Sequence, residues 1–451
     1  MLARKGESDQ HNMKKILFLA TISAIFCLNP FNPLAAQRGA TATNVGFDDW
    51  FVDATLRVDY LRIGCKKHDT CLLKQFSLQS EKWAGSVTQL LDPIDNGEYR
   101  ILVKDATSGR ELYSRCYNTL FEEYRNTIAS RERDSVATFE EVMLTPYPKK
   151  PVDICLQKRG AGNVFVTSSV FRFDPASLRF GLKNDIPEPL RLHYSGDVHT
   201  KIDVVIVAEG YGRKDEKKMN DDFKKFTSYL LGQEPFKGRA SDFNVWGVGF
   251  LAAESGVTDP NANRYVMSAV GSSYNTFNMD RYLMTTKLFR LHNLLRNVPY
   301  DHIIIMANCD TYGGGAIYNY YAFSAVQEMS QWILPHELGH SIGGLADEYV
   351  EDDSNYNQRY IGIEPLEPNI TTLKDFDSKW KHLVAEGTPI PTQPATGLDR
   401  RECGPVGAYE GAGYLEHGCY RPCTQCMMRN YADFCPVCMK RMNEVFDLYT
   451  R

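Results

Sequence analysis

The stretch LPHELGHSIGGLADEY, residues 334–349, constrains this chain more tightly than any other. Residues four apart share one face of a helix, so His336 and His340 can both reach a single zinc ion. Glu337 projects from the neighbouring side, where it can take a proton from a water held at the metal. A catalytic zinc also needs a third protein ligand and an open position. Asp347 would lie about 10 Å further along the axis if the helix simply continued. The chain must therefore leave the helix and fold back. Gly343 and Gly344 supply the means, because glycine tolerates the left-handed conformation that ends helices. A turn at Gly344 brings Asp347 back to the metal. Glu348, one residue later, is the alternative third ligand. Pro335 suits the first turn of a helix, or kinks a longer one. The competing reading is a surface helix with exposed histidines, a glycine cap and a solvated Asp-Glu-Tyr. It leaves the paired glycines and the aspartate as separate coincidences.

The chain has 451 residues, which suggests two or three domains. With 43% hydrophobic and 24% charged residues it can build a core without a metal or a disulfide. Residues 1–36 read differently. After an upstream extension, Met13 opens a signal peptide: Lys14 and Lys15, an apolar run from Ile16 to Leu28, and Ala35-Ala36 as a cleavage site. Cys27 is a poor lipidation site, because bulky Phe26 precedes it. An exported protein, periplasmic or extracellular, is the expectation. No stretch after residue 36 is long and apolar enough to span a membrane. The net charge is −5, and no long Lys/Arg cluster offers a nucleic-acid surface.

An α+β architecture is expected, with boundaries at 37–190 and 191–451. The first region reads as a β-sandwich. Its run ATLRVDYLRIG alternates as a half-buried strand does, and EYRILVKDA and NVFVTSSVFRF follow as further strands. The second region reads as α/β. KIDVVIVAEGY, DFNVWGVGFLA and YDHIIIMAN are its strands, and RKDEKKMNDDFKKFTSYLLG and MDRYLMTTKLFRLHNLLRNV its helices.

The signature from His336 to Tyr349 resembles that of the M64 family of secreted bacterial peptidases, named after an IgA-cleaving member and related to the metzincins. VDYLRIG, DVVIVAEGY, ESGVTDP, DRYLM, YDHIIIMAN, YGGGAIYN and CMMRN are also similar to segments of that family. The resemblance implies a metzincin-like catalytic domain behind an N-terminal β domain. It implies Met428 as the methionine of the turn beneath the metal. It implies an edge strand around Ala316, Ile317, Tyr318 and Asn319 on which an extended substrate lies. Tyr431, just after the methionines, is a candidate to face the metal or the transition state.

Eleven cysteines follow the signal segment, an odd number for an exported chain. Cys309, after an apolar run, is expected to be the buried unpaired one. Cys65 with Cys71, and Cys116 with Cys155, are candidate pairs. Cys403, Cys419, Cys423, Cys426, Cys435 and Cys438 crowd the C-terminal stretch. Disulfides bracing the methionine turn suit an oxidising compartment. The alternative is a second, structural zinc at Cys423, Cys426, Cys435 and Cys438.

The reading is a secreted metallo-endopeptidase with one catalytic zinc on His336, His340 and Asp347. Glu337 is its general base, and its substrate is a protein or peptide. The rivals are a catalytically idle exported protein that binds glycans or peptides, and a cell-wall amidohydrolase.

Overall fold

The computed structural model describes residues 45–80, 82–178, 188–351, 360, 362–394 and 402–450. The signal segment lies outside the described residues. Residues 45–451 cluster as one compact unit.

Seven strands open this unit: β1 (Phe51–Gly64), β2 (Asp69–Ser80), β3 (Tyr99–Asp105), β4 (Glu111–Tyr117), β5 (Ala137–Pro148), β6 (Val152–Arg159) and β7 (Phe165–Phe173). They form two antiparallel sheets, ordered β2-β1-β5 and β4-β3-β6-β7. Alternation turns Leu56, Val58 and Tyr60 of β1 toward Ile101, Val103, Ile154 and Leu156 of the other sheet, in one apolar cluster.

The opposite face of β1 departs from expectation. Arg57 and Asp59 are fully buried, although the alternating pattern predicts a solvated face. The reason is tertiary: the segment after residue 287 packs over them. Arg57 donates to the Phe289 carbonyl at 3.1 Å and to Asn293 Oδ1 at 2.8 Å, and pairs with Asp59 at 2.5 Å. Gln79 Nε2 donates to the His292 carbonyl at 2.7 Å. A buried ion pair is tolerated because such bonds replace the lost water.

Six strands form the second main sheet: β8 (Leu190–His193), β9 (Ile202–Glu209), β10 (Phe243–Val248), β11 (His302–Ala307), β12 (Gly314–Ile317) and β13 (Tyr321–Ala325). Their order is β12-β13-β11-β9-β10-β8. The inner strands are parallel and fully buried, as their unbroken apolar runs require. β8 and β12 are antiparallel edges. One face receives the helices Glu216–Leu230 and Ser330–Ser341 through Phe223, Phe226, Leu334 and Leu338. The other face is covered by Leu288 and Leu291, together with Phe121, Phe139 and Val142 of the first region. A hairpin, β14 (Tyr409–Ala412) and β15 (Leu415–Arg421), and the helix Pro436–Thr450 complete the chain. Among the described residues, no helix is long and apolar enough to cross a membrane.

The long helix expected from Met279 shortens to Leu288–Leu294. The residues before it are bridged instead: Tyr282 to Gly314, and Met284 to Ser273. Thr285 reinforces the extended path by donating to the Val270 carbonyl at 2.6 Å. The amphipathic spacing is real, but these pairings take the backbone first.

The expected cysteine pairs also fail, and the register says why. No described cysteine forms a disulfide. Cys116 pairs with Arg100 and Cys155 with Leu102, so β3 stands between them. Two strand spacings are about 9–10 Å, beyond the ~7 Å that a disulfide spans. Cys71 stands opposite Arg62. Cys65 is three residues further on, about 10 Å along the strand. Cys309 is partly exposed rather than buried, with its Sγ 3.2 Å from the Tyr274 hydroxyl.

Arg57→Ala leaves Asp59 buried without its cation. A loss of about 3–5 kcal/mol is expected, read as a lower urea midpoint. An unchanged midpoint would mean that neither the ion pair nor the bonds from Arg57 to Asn293 and Phe289 hold the two regions together.

Candidate metal centre

The motif forms the helix Ser330–Ser341, which packs on β13 and β12. Pro335 lies inside this helix rather than in its first turn. The helix ends where the glycines require. Gly344 adopts φ +60°, and its N–H donates to the His340 carbonyl at 3.0 Å. A Cβ there would stand 2.0 Å from Asn96 Nδ2, which donates to the Gly344 carbonyl. Both the conformation and the close approach demand glycine.

The turn sends residues 345–347 back along the helix. His340 Nδ1 is 2.7 Å from the Leu345 carbonyl, and His336 Nδ1 is 3.0 Å from the Met427 carbonyl. A carbonyl only accepts, so each Nδ1 carries its hydrogen and each Nε2 of a neutral ring is left bare. The two Nε2 atoms are 3.2 Å apart. Asp347 Oδ1 lies 3.1 Å from that of His336 and 3.3 Å from that of His340. It is buried and has no well-aligned hydrogen bond. Three acceptors thus face one point.

That triangle fits zinc. Tetrahedral bonds of ~2.0–2.1 Å space their ligand atoms about 3.3–3.4 Å apart. Without an ion, protons take its role. Burial pulls the His340 imidazole down, but the Asp347 carboxylate outweighs it and lifts His340 to about 9. His336 is raised against its own burial by the same carboxylate. Asp347 is held well below the usual carboxylate range, because the two imidazoles outweigh its burial. Tyr414 fixes its other oxygen by donating to Oδ2.

Glu348 faces the other way. Its Oε1 accepts from Asn369 Nδ2 at 2.9 Å and lies 3.3 Å from Cys438 Sγ. The runner-up ligand is therefore not brought to the histidines.

Glu337 is buried beside the edge strand, and a Cβ at Gly314 would stand 2.9 Å from its Oε1. Burial, the largest influence, raises its pKa; the two imidazoles lower it. A cleft of ≈ 750 Å³ opens here, lined by His336, Glu337, His340, Ala316, Tyr431 and Asn96. Tyr431 packs its ring edge-on against His336 at 5.7 Å, and its hydroxyl is 2.5 Å from that of Tyr312. Burial and that bond push the phenol up, so it stays a donor.

The Met428 sulfur lies 2.5 Å from where a Cβ of Gly339 would be, so this helix glycine admits the Met428 side chain. The edge strand is shorter than expected. Ala316 and Ile317 belong to it, whereas Tyr318 and Asn319 do not. The Tyr318 carbonyl accepts from Asn118 N–H at 3.0 Å, and the Asn319 N–H donates to Ser341 at 2.8 Å, so that backbone is already occupied. Within the strand, Ala325 N–H donates to Gly313, which sets the alternation. Ala316 consequently points its N–H and carbonyl away from β13.

Sequence reasoning missed Tyr414, Tyr312 and Asn96. Each lies far along the chain from its partner, and no local pattern marks it.

Residues 190–397 and 394–446 match the family model described as IgA Peptidase M64. Residues 46–169 match that of the Peptidase M64 N-terminus. No curated protein matches the chain.

Tyr414→Phe removes the hydroxyl that holds Asp347. Zinc affinity should fall about 10–100-fold in a competitive chelator titration; unchanged affinity would show that Asp347 needs no such support. The metal-free protein should also respond to pH. His340, raised from 6.5 to about 9, stabilises fully below pH 6.5 and loses that contribution as pH rises through 9. Thermal melts in chelator should fall across that window, while zinc binding tightens as the protons leave. A flat profile would place the raised group elsewhere.

Proposed function

This chain belongs to the M64 peptidase family, and from that premise we propose that it is an exported, zinc-dependent endopeptidase. The observation that carries the reading is the convergence of His336 Nε2, His340 Nε2 and Asp347 Oδ1 within 3.3 Å of one another, beside a buried glutamate. We read the two N-terminal sheets as a β-sandwich and the second region as a metzincin-like catalytic domain. Gly344 to Asp347 supplies the third ligand, and Met428 the turn.

His336, His340 and Asp347 would hold the zinc, which when bound polarises the scissile carbonyl and lowers the pKa of water toward ~7. Glu337 is the general base. Its carboxylate takes a proton from the attacking water and returns it to the leaving amine. A base held above its ordinary pKa by burial suits both roles. Tyr431 keeps its proton and offers an O–H toward the developing negative charge.

The substrate lies extended along β12. Ala316 offers its outward N–H and carbonyl, and Gly314 leaves room beside Glu337. Main-chain pairing at a sheet edge needs no chain terminus, which suits internal cleavage. The Gly314 carbonyl also takes Leu283 N–H at 3.4 Å, so the 282–284 segment bounds the strand on that side.

Glu337→Gln tests the assignment on a proteome-derived peptide library read by mass spectrometry. Turnover should fall about 10²–10⁴-fold, with zinc content unchanged. Equal cleavage by both proteins would remove Glu337 from the mechanism. No cleavage by the unaltered, zinc-loaded chain would count against the peptidase reading itself.

A further inference from the structure

One residue past Asp347, the chain enters a second cluster of metal-binding groups. A carboxylate oxygen of Glu348 and the sulfurs of Cys426, Cys435 and Cys438 lie within 4.8 Å of one another, and all four residues are buried. The Cys426 and Cys438 sulfurs are 3.7 Å apart, and Cys438 Sγ is 3.3 Å from Glu348 Oε1. Tetrahedral zinc with bonds of ~2.3 Å spaces two sulfurs about 3.75 Å apart. The Cys435 N–H points at the Cys426 sulfur from 3.4 Å, a contact that favours a thiolate. Glu348 is fully buried, and its Oε2 has no hydrogen-bond partner.

We propose that Glu348, Cys426, Cys435 and Cys438 bind a structural zinc ion, separate from the centre on His336. Glu348 thereby takes the place that sequence spacing gives to Cys423. The Cys423 sulfur falls outside that group of ligand atoms; it touches Cys435 and Cys403 and lies 4.0 Å from the Gly404 carbonyl. Disulfides are the rival. Joining Cys426 to Cys438, and Cys423 to Cys435, would remove the thiol beside Glu348 and strand a buried carboxylate on Asn369 alone. A cation satisfies the carboxylate and all three sulfurs together.

The ion would tie three pieces of chain behind the histidines. Glu348 follows the ligand Asp347 directly, and its N–H donates to the Met428 carbonyl at 2.7 Å. Cys426 precedes Met427, whose carbonyl holds His336 Nδ1. Cys438 lies in the first turn of the helix Pro436–Thr450. The second ion would therefore position two ligands of the first without touching substrate.

The test uses the full chain purified without chelator, beside the double variant His336→Ala/His340→Ala. Zinc is counted by plasma mass spectrometry. About two ions per chain are expected in the parent and about one in the variant. The cobalt-exchanged variant should show thiolate-to-metal charge-transfer absorption, and Cys438→Ser in that background should abolish it. A variant without zinc overturns the proposal, whether its intact mass shows free thiols or the loss of two hydrogens per disulfide. So does a cobalt form lacking the thiolate band. Because the variant has no histidine centre, the result does not depend on whether the chain is a peptidase.

Discussion

The return of the chain at Gly344 is the constraint on which the rest depends. A helix can present two imidazoles four residues apart, but it cannot present a third ligand from further along the same strand of sequence. The left-handed glycine reverses the path, and the Leu345 carbonyl meets His340 Nδ1 on the way. Asp347 then completes a triangle of acceptors no wider than 3.3 Å. The arrangement is costly without a cation, since three acceptors face one another in a buried place. In the metal-free state protons pay that cost, which is why His340 is lifted and Asp347 held down.

Everything around the triangle limits its freedom to relax. Met427 and Leu345 fix the ring orientations, Tyr414 fixes the second carboxylate oxygen, and Met428 fills the space that Gly339 leaves. The first region takes part as well. Asn96 bonds the Gly344 carbonyl, and Asn118 and Cys116 bond the hairpin that begins with β12. That region thus forms part of the cleft wall, and its polar β1 face is buried against the segment that carries Phe289 and Asn293. The two matched family segments form one structure rather than two beads on a linker.

Much of the fold was legible. The buried strands β9, β10 and β11 stand where unbroken apolar runs predict them, and the helix Glu216–Leu230 where the spacing predicts it. Failures came where a partner distant in sequence captured the backbone. Residues 279–287 have helical spacing but bridge to Gly314 and Ser273. Tyr318 and Asn319 continue an edge-strand sequence, yet Asn118 and Ser341 consume their hydrogen bonds. Cysteine spacing suggested pairs that the strand register holds apart.

The sequence by itself determined the pieces of the site. Helical periodicity aligns His336 with His340, and paired glycines force the turn before Asp347, because both follow from local backbone geometry. It could not choose between Asp347 and Glu348, since adjacent residues in an extended segment differ only in which side they face. Tertiary structure made that choice, turning Asp347 to the histidines and Glu348 to the cysteines. It also decided which distant groups, Tyr414, Asn96 and the Met427 carbonyl, surround them. Those contacts span tens to hundreds of residues, and no local pattern in the chain encodes a meeting made only when the sheets and helices pack.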